Sequence, residues 1–323
     1  MLQQISPHIT MINRRTLLRT TGLAFGSLTL PLTFQKEGSD VNDHEFSYCL
    51  NTSTIMGQNV GLSGEIEIAA GSGYDGIEIW MRSLNAFLEN GGTTKAIKQQ
   101  ARDAGIKIES SIGFAQWIVD DEATRKKGLE LAEKEMNILA EIGCERTAAP
   151  PAGATELPKL DLDRAAERYH ELLEIGRMTG VTPQLELWGF STNLHKLGEV
   201  MYVASQCGHA DACILPDVYH IYKGGSDFNG LKLLDGGAIH MFHINDYPEI
   251  PDRDSIDDSY RVYPGDGIAP LDFIINVLNA KQSPIVLSLE LFNRDYWKME
   301  AIEAARLGLE KMQNSVAKAL AAP

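Results

Sequence analysis

Cysteine is scarce: the four residues, at positions 49, 144, 207 and 213, form no C-x-x-C pair and no zinc-ligand spacing, which argues against a structural zinc. They read as buried thiols, with a Cys207–Cys213 bridge open only in an oxidising compartment. Positive charge is also short. With 29 Lys and Arg against 44 Asp and Glu the formal net charge is -15, which repels nucleic-acid phosphates and anionic membrane surfaces. A neutral small molecule is the partner this balance favours; a phosphorylated one would need a local cluster such as Arg253 with Arg261. No repeat or low-complexity segment stands out, and no G-x-G-x-x-G follows the first strand candidate, so a dinucleotide-binding sheet lacks its phosphate loop. What is present, 44% hydrophobic and 23% charged residues, is enough to bury a globular core.

The first 36 residues read as an address rather than as fold, with residues 37–323 forming one domain. Arg14 and Arg15 precede an apolar, small-residue stretch that begins at Thr20, the layout of a twin-arginine export signal, which implies a periplasmic protein. Gly22, Gly26 and Pro31 interrupt that stretch, and it is shorter than the roughly 20 residues of a spanning helix, so no permanent membrane anchor is expected. A helix packed on the domain is the other reading of this segment.

From residue 46 onward, short apolar runs alternate with longer amphipathic stretches, the rhythm of parallel β/α architecture. Strands are expected at 46–50, 74–79, 106–109, 145–149, 182–187, 212–215, 238–244 and 285–291. Helices are expected at 93–104, 123–142, 162–179, 194–207, 271–279 and 298–321, the second using Leu129, Leu131, Met136, Ile138, Leu139 and Ile142 as its apolar set. Eight strands point to a single closed (β/α)8 TIM barrel. The acidic, turn-rich loop 247–260 is expected to cover the site.

In such a barrel the reactive groups stand at the C-terminal ends of strands. Four potential metal ligands interrupt or end the last four strand candidates: Glu186, Asp217, His243 and Glu290. A carboxylate flanked by leucines on a buried strand is costly unless something compensates its charge, and metal coordination would do so. Pairing with a barrel arginine, helix capping by Asp217 or a satisfied core histidine explains each residue singly; their recurrence on successive strands favours one divalent ion. Three carboxylates and an imidazole make an oxygen-rich shell suited to Mn²⁺, Mg²⁺ or Co²⁺.

Several segments together carry a family resemblance: Asn51-Thr52-Ser53-Thr54, Gly73 to Ile79, Asp217-x-x-His220, His243-x-x-Asp246, Arg261 to Gly267, and Ser288-Leu289-Glu290. The chain resembles the xylose-isomerase-like sugar isomerase and epimerase barrels, most closely their inosose isomerase branch. The resemblance implies a metal-dependent isomerase or epimerase that moves protons beside the carbonyl of a keto-sugar or keto-inositol. It implies that Glu186, Asp217, His243 and Glu290 hold the metal, that Glu186 and Glu290 act as acid and base on opposite faces, and that the chain pairs as a homodimer or homotetramer. His220, Arg261, Asp246, Glu78 and Trp188 are the expected substrate-binding set. Alternatives are a lyase or hydrolase of 3-keto-glycosides, with Trp80, Trp117 and Trp188 stacking on the aglycone, and a non-catalytic periplasmic sugar-binding barrel. An AP-endonuclease-like activity is disfavoured by the net acidity.

Overall fold

The computed structural model describes residues 46–321; the expected export signal lies outside these residues. Eight parallel strands form the barrel: β1 (Ser47–Asn51), β2 (Gly76–Trp80), β3 (Lys107–Ile112), β4 (Arg146–Ala149), β5 (Thr182–Glu186), β6 (Ile214–Leu215), β7 (Met241–Ile244) and β8 (Val286–Leu289). All eight fall within or beside the expected segments. One ladder runs β3-β2-β1-β8-β7 and a second β4-β5-β6. Isolated parallel bridges, Ile214 with Ile239 and Asp217 with His243, join β6 to β7. Between β3 and β4 the link is made by side chains, Ser111 Oγ lying 2.9 Å from Thr147 Oγ1. The strands are short and buried on both faces, as parallel strands covered by helices must be.

Nine helices are described: α1 (Gly61–Ser72), α2 (Met81–Glu89), α3 (Thr94–Asp103), α4 (Glu122–Ile142), α5 (Leu162–Thr179), α6 (Leu197–Gln206), α7 (Val218–Lys223), α8 (Leu271–Asn279) and α9 (Ala301–Ala321). Local chemistry sets their ends. Asp121 caps α4 by accepting from the Thr124 N–H at 2.8 Å, and Gly143 closes it at φ 85°, a left-handed conformation that suits glycine. The face α4 buries is Gly128, Ala132, Met136, Leu139 and Ile142; Leu131, expected in that stripe, is 42% exposed. Cys207 and Cys213 are both free and buried.

One buried acid in this helical layer makes stability pH-dependent. Glu65 on α1 accepts from Ser83 Oγ at 3.2 Å through one oxygen, while its other oxygen has no hydrogen-bond partner. Burial pushes its carboxyl up from 4.5 to about 7, against the smaller opposing effects of Ser83 and the Arg82 charge. Below the ordinary carboxylate range both folded and unfolded chains hold the proton, so nothing is lost. As pH rises toward 7 the unfolded chain ionises first, and folding loses stability by up to about 3 kcal/mol. Glu65→Gln is therefore expected to match the wild type in urea denaturation near pH 4 and to exceed it at pH 8. Equal midpoints at both pH values would contradict the assignment.

Candidate active site

The four expected ligands all lie at the C-terminal ends of their strands, but they are not equivalent. Ligand atoms of Asp217, His243 and Glu290 fall within 4.8 Å of one another, and all three residues are buried. Glu186 stands outside that cluster, 2% exposed, and lines the cavity that Glu290 also lines, its Oε2 without a hydrogen-bond partner.

Asp217 is both a helix cap and a site residue, because its two oxygens divide the work. Oδ1 accepts the His220 N–H at 2.8 Å and so caps α7, while Oδ2 accepts from Asn245 Nδ2 and from Arg261 Nη1, each at 3.0 Å. His243 is held from behind. Its Nε2 lies 3.0 Å from Glu78 Oε2, which also accepts from Asn51 Nδ2 at 2.8 Å and Ser288 Oγ at 2.7 Å. A carboxyl that already accepts from two other donors assigns a proton to Nε2, and Nδ1 faces Glu290 Oε2 at 3.2 Å and Asp217 Oδ2 at 3.7 Å. That nitrogen makes no hydrogen bond.

Glu78 was expected to meet substrate; it is 0% exposed and lies behind His243, because its strand position points it into the barrel interior. It orients His243 instead. Asp246 is likewise displaced from the expected role. Its carboxylate accepts the backbone N–H groups of Tyr247, Gly265, Gly267 and Ala269 at 2.8 to 3.0 Å, fixing the 264–269 turn. Gly267 has to be glycine, since a Cβ there would collide with Asp246 and with the Tyr247 carbonyl. Trp117, offered as a stacking surface, is 1% exposed and donates to the Pro150 carbonyl in the packing layer.

Arg261 is 1% exposed and is the positive centre of the site. Nη1 binds Glu290 Oε2 at 2.8 Å as well as Asp217, and Nη2 binds Asp258 and His220 Nε2, the latter at 3.0 Å. A guanidinium has only hydrogens to give, so His220 accepts at Nε2; burial and the Arg261 charge hold its pKa well below the ordinary imidazole value. Arg253 lies half-exposed beside Asp254 and does not join Arg261 in lining the cavity. The end of the 247–260 loop does reach the site, delivering Asp258 to the cavity wall.

The two glutamates are pushed in opposite directions. Burial, then the nearby Glu290 charge, raises Glu186 to about 8. Burial acts on Glu290 too, but the charges of His243 and Arg261 outweigh it and hold Glu290 well below the usual carboxylate range. Opposed proton affinities in one cavity are the condition for acid and base roles. Burial raises Asp217, opposed by Arg261. For His243, burial favours the neutral ring, but Glu290 and Glu78 overcome it.

This donor set fits a divalent cation. It supplies an unpartnered imidazole nitrogen, two convergent carboxylate oxygens already holding a guanidinium, and an unpartnered Glu186 oxygen in the cavity that Glu290 lines. Glu78→Gln would turn one carboxyl oxygen into an amide N–H$_2$ and disturb the partner of His243. The expected result is a metal affinity about 10- to 100-fold weaker, read by competition with a fluorescent chelator.

The cavity, of about 200 Å³, is lined by Glu186, Glu290, His220, Arg261, Asp258 and an apolar wall that includes Trp188. Asn51 and Asn245 were not anticipated as site residues. Asn51 donates to Glu78 and, at 3.2 Å, to Glu290 Oε1; Asn245 braces Asp217. Asn51 opens the Asn-Thr-Ser-Thr segment, and Asn245 stands between two assigned positions, so the signal was there without a role attached.

Residues 66–315 match the family described as xylose isomerase-like TIM barrel. An inosose isomerase of Halalkalibacterium halodurans is 26% identical over 279 residues, covering 84% of this chain and 96% of that protein. A crystal structure described as the IOLI protein with a binding zinc atom superposes with a TM-score of 0.78 at 24% identity, covering 86% of this chain and all of that one. A structure of L-ribulose 3-epimerase gives a TM-score of 0.70 at 15% identity, over 85% and 96% of the two chains.

Proposed function

From the premise that this chain belongs to the xylose isomerase-like TIM-barrel family, we propose that it is a metal-dependent isomerase or epimerase of a keto-sugar or keto-inositol. The observation that carries this reading is the pair of buried carboxyls with opposed proton affinities, Glu186 and Glu290, in one cavity, Glu290 also belonging to a three-residue cluster of ligand character. The names of the similar inosose isomerase and L-ribulose epimerase, and the zinc of the similar IOLI structure, support the same class.

Asp217, His243 and Glu290, with Glu186, would hold a divalent ion, which supplies positive charge beside the substrate's carbonyl oxygen. The remaining chemistry belongs to the chain. Glu290, the carboxyl kept ionised, takes the proton from the carbon beside the carbonyl, and the C–H electrons move into the new carbon–carbon double bond as the carbonyl electrons move to oxygen. Arg261 and His220 lie where hydrogen bonds from the guanidinium and the imidazole Nδ1–H can hold substrate oxygens. Glu186, on a strand three places away in the ring, returns a proton. Delivery to the neighbouring carbon, with the hydroxyl proton of the enediolate passing to the former carbonyl oxygen, gives the isomer, and delivery to the other face of the same carbon gives the epimer. A non-catalytic sugar-binding barrel would have no use for two such carboxyls.

The test is deuterium uptake, followed by NMR, at carbons beside the carbonyl of 2-keto-myo-inositol, D-fructose and D-psicose in D₂O with Mn²⁺, Mg²⁺, Co²⁺ or Zn²⁺ supplied in turn. Metal-dependent exchange on one of them is expected; no exchange on any, with metal bound, would overturn the reading. Export through Arg14 and Arg15 is proposed alongside it, and Arg14→Lys with Arg15→Lys should leave the protein in the cytoplasmic fraction.

A further inference from the structure

Beside its charged residues the cavity is lined by a continuous run of aromatic rings. Phe292 meets Trp80 at 6.0 Å between centroids, Trp80 meets Phe114 at 5.5 Å, Phe114 meets Trp188 at 5.9 Å, and Trp188 meets Phe190 at 5.1 Å. The run closes on the site itself, Phe190 lying 5.7 Å from the His220 ring. Exposure changes along it. Trp80 is 8% exposed, whereas Phe114 and Phe190, from the segments after β3 and β5, are 44% and 48% exposed. One exposed phenylalanine needs no explanation, but two that extend an apolar wall out of a polar pocket do.

Phe114 and Phe190 line a cavity of about 200 Å³ that has room for roughly one polyol ring, and their exposure puts them at its lip, where a substituent on that ring would emerge. We infer that Phe114 and Phe190, with Trp188 between them, form an outer subsite for a flat, uncharged, apolar substituent on the sugar or cyclitol ring, an aryl aglycone above all. This rests on the isomerase or epimerase reading only in placing a polyol ring in the inner cavity.

Three features select that occupant. Phenylalanine rings carry no donor or acceptor, so the lip gives nothing to the hydroxyls of a second sugar and leaves them to lose water without replacement. Ring spacings of 5 to 6 Å match the offset and tilted packing that an additional aromatic ring would extend. Glu186, Glu290 and Asp258 in the same cavity, in a chain of net charge -15, disfavour an anionic substituent.

Calorimetric titration of the metal-loaded protein with phenyl β-D-glucoside, methyl β-D-glucoside and cellobiose tests this without turnover, since neither glucoside carries a ketone. The phenyl compound is expected to bind about tenfold or more tightly than the methyl compound, and more tightly than cellobiose. Phe114→Ala with Phe190→Ala should bring the phenyl-to-methyl ratio to about unity, and the milder Phe190→Leu should lower it partway. Equal phenyl and methyl affinities, no binding of the phenyl compound, or a ratio untouched by the double substitution would overturn the inference. Preference for cellobiose would also overturn it by naming a second sugar ring as the occupant. If the double variant instead loses a dimer seen by sedimentation while the ratio stays fixed, the lip is a subunit contact and the inference fails. A phenyl preference without deuterium exchange would leave the subsite standing and sink the isomerase reading; exchange without that preference would do the reverse.

Discussion

Glu290→Gln is expected to lower kcat/KM on the accepted keto-substrate by at least about 10³-fold while leaving the barrel folded. The substitution keeps shape and volume but removes the one carboxylate that the site holds firmly ionised, so both the proton acceptor and a unit of negative charge disappear. The fold should survive because Arg261 retains Asp217 and Asp258, and Asn51 can still donate to the amide oxygen. The cost is that of one weakened buried hydrogen bond, about 1 to 3 kcal/mol. Steady-state kinetics with far-UV circular dichroism decides the matter. A folded variant with near-wild-type turnover would remove Glu290 from the acid and base roles.

Stripping metal with EDTA should abolish activity without unfolding the protein, and Asp217→Asn should make activity depend on far higher metal concentrations. The physical reason for the first outcome is Arg261. Its guanidinium already bridges Asp217 Oδ2 and Glu290 Oε2, so removing a cation does not leave those acids facing one another uncompensated. A structural metal site behaves differently, since there the ion supplies the folding energy. Adding metal back should raise the melting temperature with concentration, by about 2.7 kcal/mol of stability at a hundred times Kd. In Asp217→Asn the Oδ1 cap of α7 can be kept by the amide oxygen, so the loss should fall on metal affinity and kcat/KM rather than on folding. Full activity after exhaustive chelation would refute metal dependence, and unchanged metal affinity in Asp217→Asn would remove that residue from the ligand set.

Much of the barrel was legible because its strands are short apolar runs with turn signals between them, and α5 and α8 were expected at their observed bounds. Three helices escaped notice for separate reasons. In α1, Gly61, Gly64 and Gly71 dilute the helical signal, and α2 begins immediately after β2, where a strand's apolar run hides its start. With six residues, α7 is too short to show periodicity; it is held by the Asp217 cap and by burial of Val218, Tyr219, His220 and Ile221.

The amino-acid sequence by itself determined the eight strands and six of the covering helices, and it marked which polar residues end buried strands, because hydrophobic pattern and local capping are properties of neighbouring residues. Only the tertiary structure decided what those residues do. Glu78 and Glu290 both sit in buried strands, yet one braces His243 and the other faces the cavity, a distinction set by where β2 and β8 stand in the closed ring. Asp246 and Asp217 are alike in sequence context, but the first is spent on backbone N–H groups of a distant turn and the second turns an oxygen to Arg261. The proton affinities of Glu186 and Glu290 diverge for the same reason: desolvation and charge depend on groups brought together from strands far apart in the chain.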